Sequence, residues 1–206
     1  MSKKSVIVFE GIEGSGKSFH ISNVSRFLKR KKIDHIKIRE PGGTLNAEKI
    51  RKLILNNKSS FSRSTDLLLY FAARSENMNL LRKYYKKKII LIDRFIDSTV
   101  AYQHYGFGLE IRIINEINNY LLGKFNVDFT FLNTVSSNNM IQRLKLRKST
   151  NRYDKFSRFF YQRVQKGFLK IAKKNKKKYQ IINSNLNIED NKSLIIKKIK
   201  ELIWMF

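Results

Sequence analysis

The feature that most constrains this chain is the stretch Gly11-Ile12-Glu13-Gly14-Ser15-Gly16-Lys17-Ser18, which fits G-x-x-x-x-G-K-[ST]. Glycines permit backbone angles that a side chain blocks, so successive N–H groups can turn inward around an anion. A helix that starts at such a loop adds the positive end of its dipole. The motif predicts ATP binding by Gly11, Ile12, Glu13, Gly14, Ser15, Gly16, Lys17 and Ser18. Within it Lys17 reaches the β- and γ-phosphates, and the Ser18 hydroxyl holds Mg²⁺. The context agrees. Ser5–Glu10 is short, apolar and β-branched, as a buried strand is, and Ile21, Val24, Phe27 and Leu28 then recur at helical spacing.

The rest of the chain alternates strand and helix, which predicts an α/β fold with a parallel sheet. Strands are expected at His35–Glu40, Ile89–Ile92, Val127–Leu132 and Tyr179–Ile182. Helices are expected around Ile50–Ile54, from Thr65 to about Tyr85, after Gly108, from Met140, over Phe156–Lys174, and after an Asn187 cap. The expected inward residues include Leu67, Leu68 and Phe71, then Ile113, Ile114 and Ile117, then Leu194, Ile195 and Ile199. Right-handed crossovers place a ligand crevice at the carboxyl ends of the strands, where Glu10, Arg39-Glu40 and Asp93-Arg94 all fall. At 206 residues the length suits one domain spanning 1–206. The absence of cysteine removes disulfide and thiol chemistry and suits a cytoplasmic enzyme. The apolar run after Lys4 stops at Glu10, too short for a signal peptide, and no stretch approaches the length of a membrane span.

The charge is unusual, with 43 Lys+Arg against 16 Asp+Glu and a net +27. One reading is a nucleic-acid platform. The favoured one is compositional drift on permissive surface positions plus phosphate-rich ligands, with no specific nucleic-acid or membrane partner. Many lysines sit where helices should end, as at Lys86–Lys88 and Lys173–Lys178, and suit the negative dipole end there.

Asp93, closing an apolar strand, is the second element of a P-loop site and a candidate Mg²⁺ ligand with Ser18. Arg39, Arg51, Arg74 and Arg94 exceed what one P-loop needs and suggest a second phosphate group, on an acceptor. His20, His35 and His104 have no triad or metal cluster around them and read as structural.

At this point the residues resemble a known family. Arg39-Glu40-Pro41-Gly42-Gly43-Thr44 is similar to the R-E-P-G-G-T loop of thymidylate kinases. Asp93–Gln103 resembles that family's D-R-Y-x-x-S-x-x-A-Y-Q segment, and Phe71-Ala72-Ala73-Arg74 its F-x-A-x-R helix. The resemblance implies a three-layer nucleoside monophosphate kinase fold, a five-stranded parallel sheet with helices on both faces. It implies ATP-dependent phosphorylation of dTMP to dTDP, with Mg²⁺, by a homodimer. Arg74 is expected to bond the thymine edge and Tyr70 to stack on the base. Arg51 and Arg94, with Arg39 near, are expected to bind the 5′-phosphate. Ser98, Thr99 and Gln103 are expected to line the base pocket, with Tyr102 against the sugar and Glu13 at its 3′-hydroxyl side or at the metal. The basic segment about 143–154 resembles the lid of the bacterial type, which supplies cations that the P-loop lacks. Its candidates are Arg143, Arg147 and Arg152, with Arg147 and Arg152 nearest the phosphates. Lys17, Arg94, Arg147 and Arg152 form the expected catalytic set. The alternatives are another P-loop nucleoside or nucleotide kinase and a nucleic-acid-binding P-loop ATPase. Against the latter, the position beside Asp93 is Arg94 rather than a hydrolytic carboxylate.

Overall fold

A computed structural model describes residues 4–147 and 151–204. Five parallel strands, β1 (Val6–Glu10), β2 (His35–Arg39), β3 (Ile89–Asp93), β4 (Phe129–Thr134) and β5 (Tyr179–Asn183), pair in the order β2-β3-β1-β4-β5. In register, Phe9 lies beside both Asp93 and Phe131, so the carboxyl ends of the three central strands share one rim.

Side-chain alternation along the strands sets the layers. Ile7, Phe9 and Leu91 point to one face, where α1 (Lys17–Arg30) and α8 (Ile188–Ile203) cover them through Val24, Leu28, Ile195 and Ile199. Val6, Val8, Ile90 and Ile92 point to the other, against Met78 and Leu81 of α3 (Arg63–Tyr84) and against Phe95 and Phe125. The continuous apolar run of β3 is the consequence of burial on both faces.

The remaining helices are α2 (Leu45–Leu55), α4 (Ile96–Thr99), α5 (Ile111–Leu122), α6 (Ser137–Lys145) and α7 (Arg158–Lys174). The α4 helix continues as π-helical turns over Val100–Gly106, a helical segment that the sequence reading left unassigned. Its signal is weak because two of the residues it buries, Tyr102 and Gln103, carry polar atoms. The Asn187 cap is present, its side chain accepting from the Glu189 and Asp190 amides. Three residues expected inward are not. Leu68, Ile113 and Leu194 are exposed, as is Leu53 of α2, because each helix has more apolar positions than its sheet-facing stripe can bury. Among the described residues no helix is long and apolar enough to cross a membrane.

Candidate active site

The loop after β1 is built for close approach. Gly11 has φ +138°, and a Cβ there would lie 2.2 Å from the Asn133 carbonyl of β4. Gly16, at φ +82°, caps α1 in the left-handed region that a side chain disfavours. Lys17 follows at the start of α1 and folds back, its Nζ donating to the Gly11 and Ile12 carbonyls, each at 2.8 Å. Burial pushes this ammonium down to about 7, with Arg94 nearby adding repulsion. From outside, Arg143 donates to the Gly14 carbonyl at 3.0 Å and to the Ser184 carbonyl at 2.6 Å, so it braces the loop.

Ser18 on α1 and Asp93 at the end of β3 meet, Oγ to Oδ2 at 3.2 Å. A hydroxyl and a carboxylate oxygen beside a phosphate loop are the donor types that Mg²⁺ takes. Next to them Arg94 occupies φ +67°, a turn that directs its guanidinium under the P-loop. There Nη1 donates to Gly11 O at 2.8 Å and Nη2 to Glu13 Oε1 at 2.8 Å. Tyr102 donates to the other oxygen of Glu13. Burial alone raises a carboxyl, but Arg94 and Lys17 outweigh it and hold Glu13 low. The Arg94 turn is fixed by Glu10. This carboxylate accepts from the Phe95 amide at 2.8 Å, the Ser98 amide at 3.2 Å and the Ser98 hydroxyl at 2.5 Å. Ser98 therefore lines the crevice with its hydroxyl already committed to Glu10.

The crevice encloses about 220 Å³ between the P-loop, the β2 end, α3 and α4. Its wall includes Glu13, Lys17, Ser18, Arg39, Arg51, Tyr70, Arg74, Asp93, Arg94, Ser98, Thr99, Tyr102, Gln103 and Arg147, so one space collects nearly all the residues singled out in the sequence. Arg39 is held by Glu48, through Nε at 3.1 Å and Nη2 at 2.9 Å, and Arg51 by the Pro41 carbonyl at 2.6 Å. Arg74 lies at the inner end, 2% exposed, donating to Glu40, Asn118 and Thr99. Gln103, 1% exposed, has an Oε1 with no hydrogen-bond partner among the described residues.

The lid differs from expectation in one respect. Arg147 lines the crevice and pairs with Asp154 at 2.8 Å. Asp154 also accepts from the Asn151 amide at 2.9 Å, closing a capping box on the short 3₁₀ turn Arg152–Lys155. Arg152, expected beside Arg147, turns away and is not part of the crevice wall. It donates to the Ile54 carbonyl and to buried Asp66 of α3, tying the end of the lid to α2 and α3. The cause is Asp66, a carboxylate that burial leaves in need of a cation. Residues 148–150 of the expected lid lie outside the described residues.

The sequence reading gave no role to Glu40 or Asn118. Each contacts Arg74 across the fold, Glu40 at a separation of 34 residues and Asn118 at 44, and only the fold brings them together.

The parallel sheet, the P-loop, the Ser18–Asp93 pair and the arginine-lined crevice define a P-loop nucleoside monophosphate kinase fold. The thymidylate kinase family model matches residues 9–195. The chain is 34% identical to the thymidylate kinase of Kosmotoga olearia, over 93% of this chain and 93% of that one. It is 36% identical to the thymidylate kinase of Acholeplasma laidlawii, over 94% of this chain and 97% of the relative. The crystal structure of thymidylate kinase from Ehrlichia chaffeensis superposes with a TM-score of 0.76 at 31% identity, covering 95% of this chain and 98% of its own. The chain belongs to the thymidylate kinase family.

Proposed function

We propose that this protein transfers the γ-phosphoryl group of ATP to dTMP, giving ADP and dTDP for dTTP synthesis. The observation that carries the base assignment is the inner end of the crevice. There a buried guanidinium, Arg74, and an unpartnered acceptor, Gln103 Oε1, lie in the same wall. A thymine imide edge offers a carbonyl acceptor beside an N–H donor, the complement of that pair. Tyr70 supplies a ring face on the same wall, which also holds Thr99, accepting from Arg74 at 3.0 Å.

Arg51 and Arg94, with Arg39 at the rim, serve the acceptor 5′-phosphate. Planar guanidinium forks bind phosphate oxygens bidentately. Tyr102, held by Glu13, takes the sugar side and disfavours a 2′-hydroxyl. The P-loop amides and Lys17 hold the donor phosphates, whose charge restores the ammonium that burial has weakened. Ser18 and Asp93 hold Mg²⁺, which neutralises phosphate charge when bound. Arg147 and Arg94 stabilise the charge that gathers on the transferring group. The acceptor phosphate is already an anion, so no general base is needed.

Assembly as a homodimer and a cytoplasmic location go with this reading. Leu68 of α3 and Ile113 and Tyr120 of α5 are exposed on two helices that pack together, and a second copy is proposed to cover them. Sedimentation at micromolar concentration tests this, and a clean 24.4 kDa species refutes it. The activity itself is tested by kcat/KM for a panel of nucleoside monophosphates with ATP. A strong preference for dTMP over dCMP is expected. Cytosine presents an amino donor where Arg74 also donates, and a buried polar group left unpaired costs roughly 1–3 kcal/mol. Equal use of dCMP overturns the base assignment.

A further inference from the structure

Arg74 makes three side-chain hydrogen bonds among the described residues. A guanidinium carries five N–H donors in a fixed plane. The Nε–H goes to Glu40 Oε2 at 2.8 Å. Nη2 donates to Thr99 Oγ1 at 3.0 Å and lies 2.8 Å from the same Glu40 oxygen as an ion pair. Nη1 gives one hydrogen to Asn118 Oδ1 at 2.7 Å. Nη1 keeps a second N–H, and the bond to Asn118 sets where it points.

Two aromatic rings lie against the guanidinium, with the Phe95 ring centroid 5.1 Å from Cζ and that of Phe71 5.9 Å away. Asn118 comes from α5, one turn after Ile114, and these two are the buried residues of that helix. Asn118 is 6% exposed, so its amide cannot be replaced by bulk water without reorganisation. Glu40 and Thr99 anchor the Nε–Nη2 edge of the fork, and Asn118 is the partner of Nη1 among the described residues.

We infer that Asn118 is a positioning residue for base selectivity: by occupying one hydrogen of Arg74 Nη1, it leaves a single donor aimed at the base carbonyl. The inference rests on the proposal that Arg74 reads the base. Without Asn118 the Nη1 end can tilt. The bond to a thymine carbonyl then weakens, and the donor-against-donor conflict with cytosine is relieved by the same tilt. Selectivity falls from both sides, while the phosphate ligands and the P-loop are untouched.

The test compares kcat/KM for dTMP and dCMP in the wild type, Asn118→Ala, Asn118→Asp and Arg74→Ala. In Asn118→Ala the dTMP/dCMP ratio is expected to fall about tenfold, the scale of one misplaced buried hydrogen bond. The loss should appear mainly in the KM for dTMP, with kcat and the KM for ATP little changed. Asn118→Asp keeps an acceptor oxygen and should keep most of the ratio. Should Asn118→Ala fail to fold, Asn118→Leu fills a similar volume without an acceptor and carries the same expectation. An unchanged ratio in a folded acceptor-free variant, or an equal loss in Asn118→Asp, overturns the inference. If Arg74→Ala lowers the ratio while the acceptor-free variants do not, only the positioning role falls. If Arg74→Ala also leaves the ratio unchanged, base reading by Arg74 falls with it.

Discussion

Removing the negative charge at Glu40 should destabilise the whole protein, although the residue sits at the end of an edge strand. Arg74 and Glu40 are 2% and 5% exposed, and Glu40 Oε2 accepts from the guanidinium Nε at 2.8 Å and pairs with Nη2 at 2.8 Å. Glu40→Gln preserves the shape and one acceptor oxygen, but leaves a buried cation without the carboxylate that neutralises it. Arginine cannot shed its proton, so it has no way to relieve the charge. Breaking one side of a buried pair costs about 3–5 kcal/mol. For a chain of this size each kcal/mol shifts Tm by about 2–4 °C, so the fall should be on the order of 6–20 °C. Chemical and thermal unfolding of the two proteins measures it. Replacing both partners, as Glu40→Leu with Arg74→Met, should recover most of the loss because no uncompensated charge remains. A single variant that loses less than about 1 kcal/mol would refute the reasoning, since the pair would then not be buried as described.

Burial raises Glu10 from 4.5 to about 7, with Asp97 adding to the effect, and raises Asp97 from 3.8 to about 6. Both folded values lie above the unfolded ones, so the stability these groups contribute is complete at low pH and lost as pH rises through about 6 to 7. Urea unfolding against pH should show this decline in the wild type and a shallower one in Glu10→Gln; identical slopes would contradict it. The two lid arginines should separate by assay. Arg147→Ala should lower kcat by about 10²–10³ with little change in Tm, as for loss of a preorganised charge contact. Arg152→Ala should instead lower stability by roughly 1–3 kcal/mol, because buried Asp66 loses its donor, and spare kcat. The opposite pattern in steady-state kinetics and melting would return Arg152 to the crevice.

The legible parts of the fold were those written in short range. β1, the P-loop and α1 follow from adjacent residues, and β3 from an uninterrupted apolar run. Most crevice residues were legible because they lie in short contiguous motifs that the parallel topology gathers on one rim. What stayed hidden is long-range pairing between polar groups. Nothing near Arg152 in sequence shows that Asp66 competes for it, and nothing near Arg74 points to Asn118. Helix faces were the other gap. Leu68 and Ile113 have the spacing of core residues, and only the packed sheet shows that they face outward.

The central claim is that the P-loop crevice passes phosphoryl groups to a bound monophosphate rather than to water. The measurement is ADP release from ATP with and without dTMP, with the nucleotide products identified. ADP should form only when dTMP is present, in equal amount to dTDP, and Lys17→Ala should slow it by about 10²–10³ while the protein stays folded. ADP release that ignores dTMP, or that proceeds near the normal rate in a folded Lys17→Ala protein, would contradict the account.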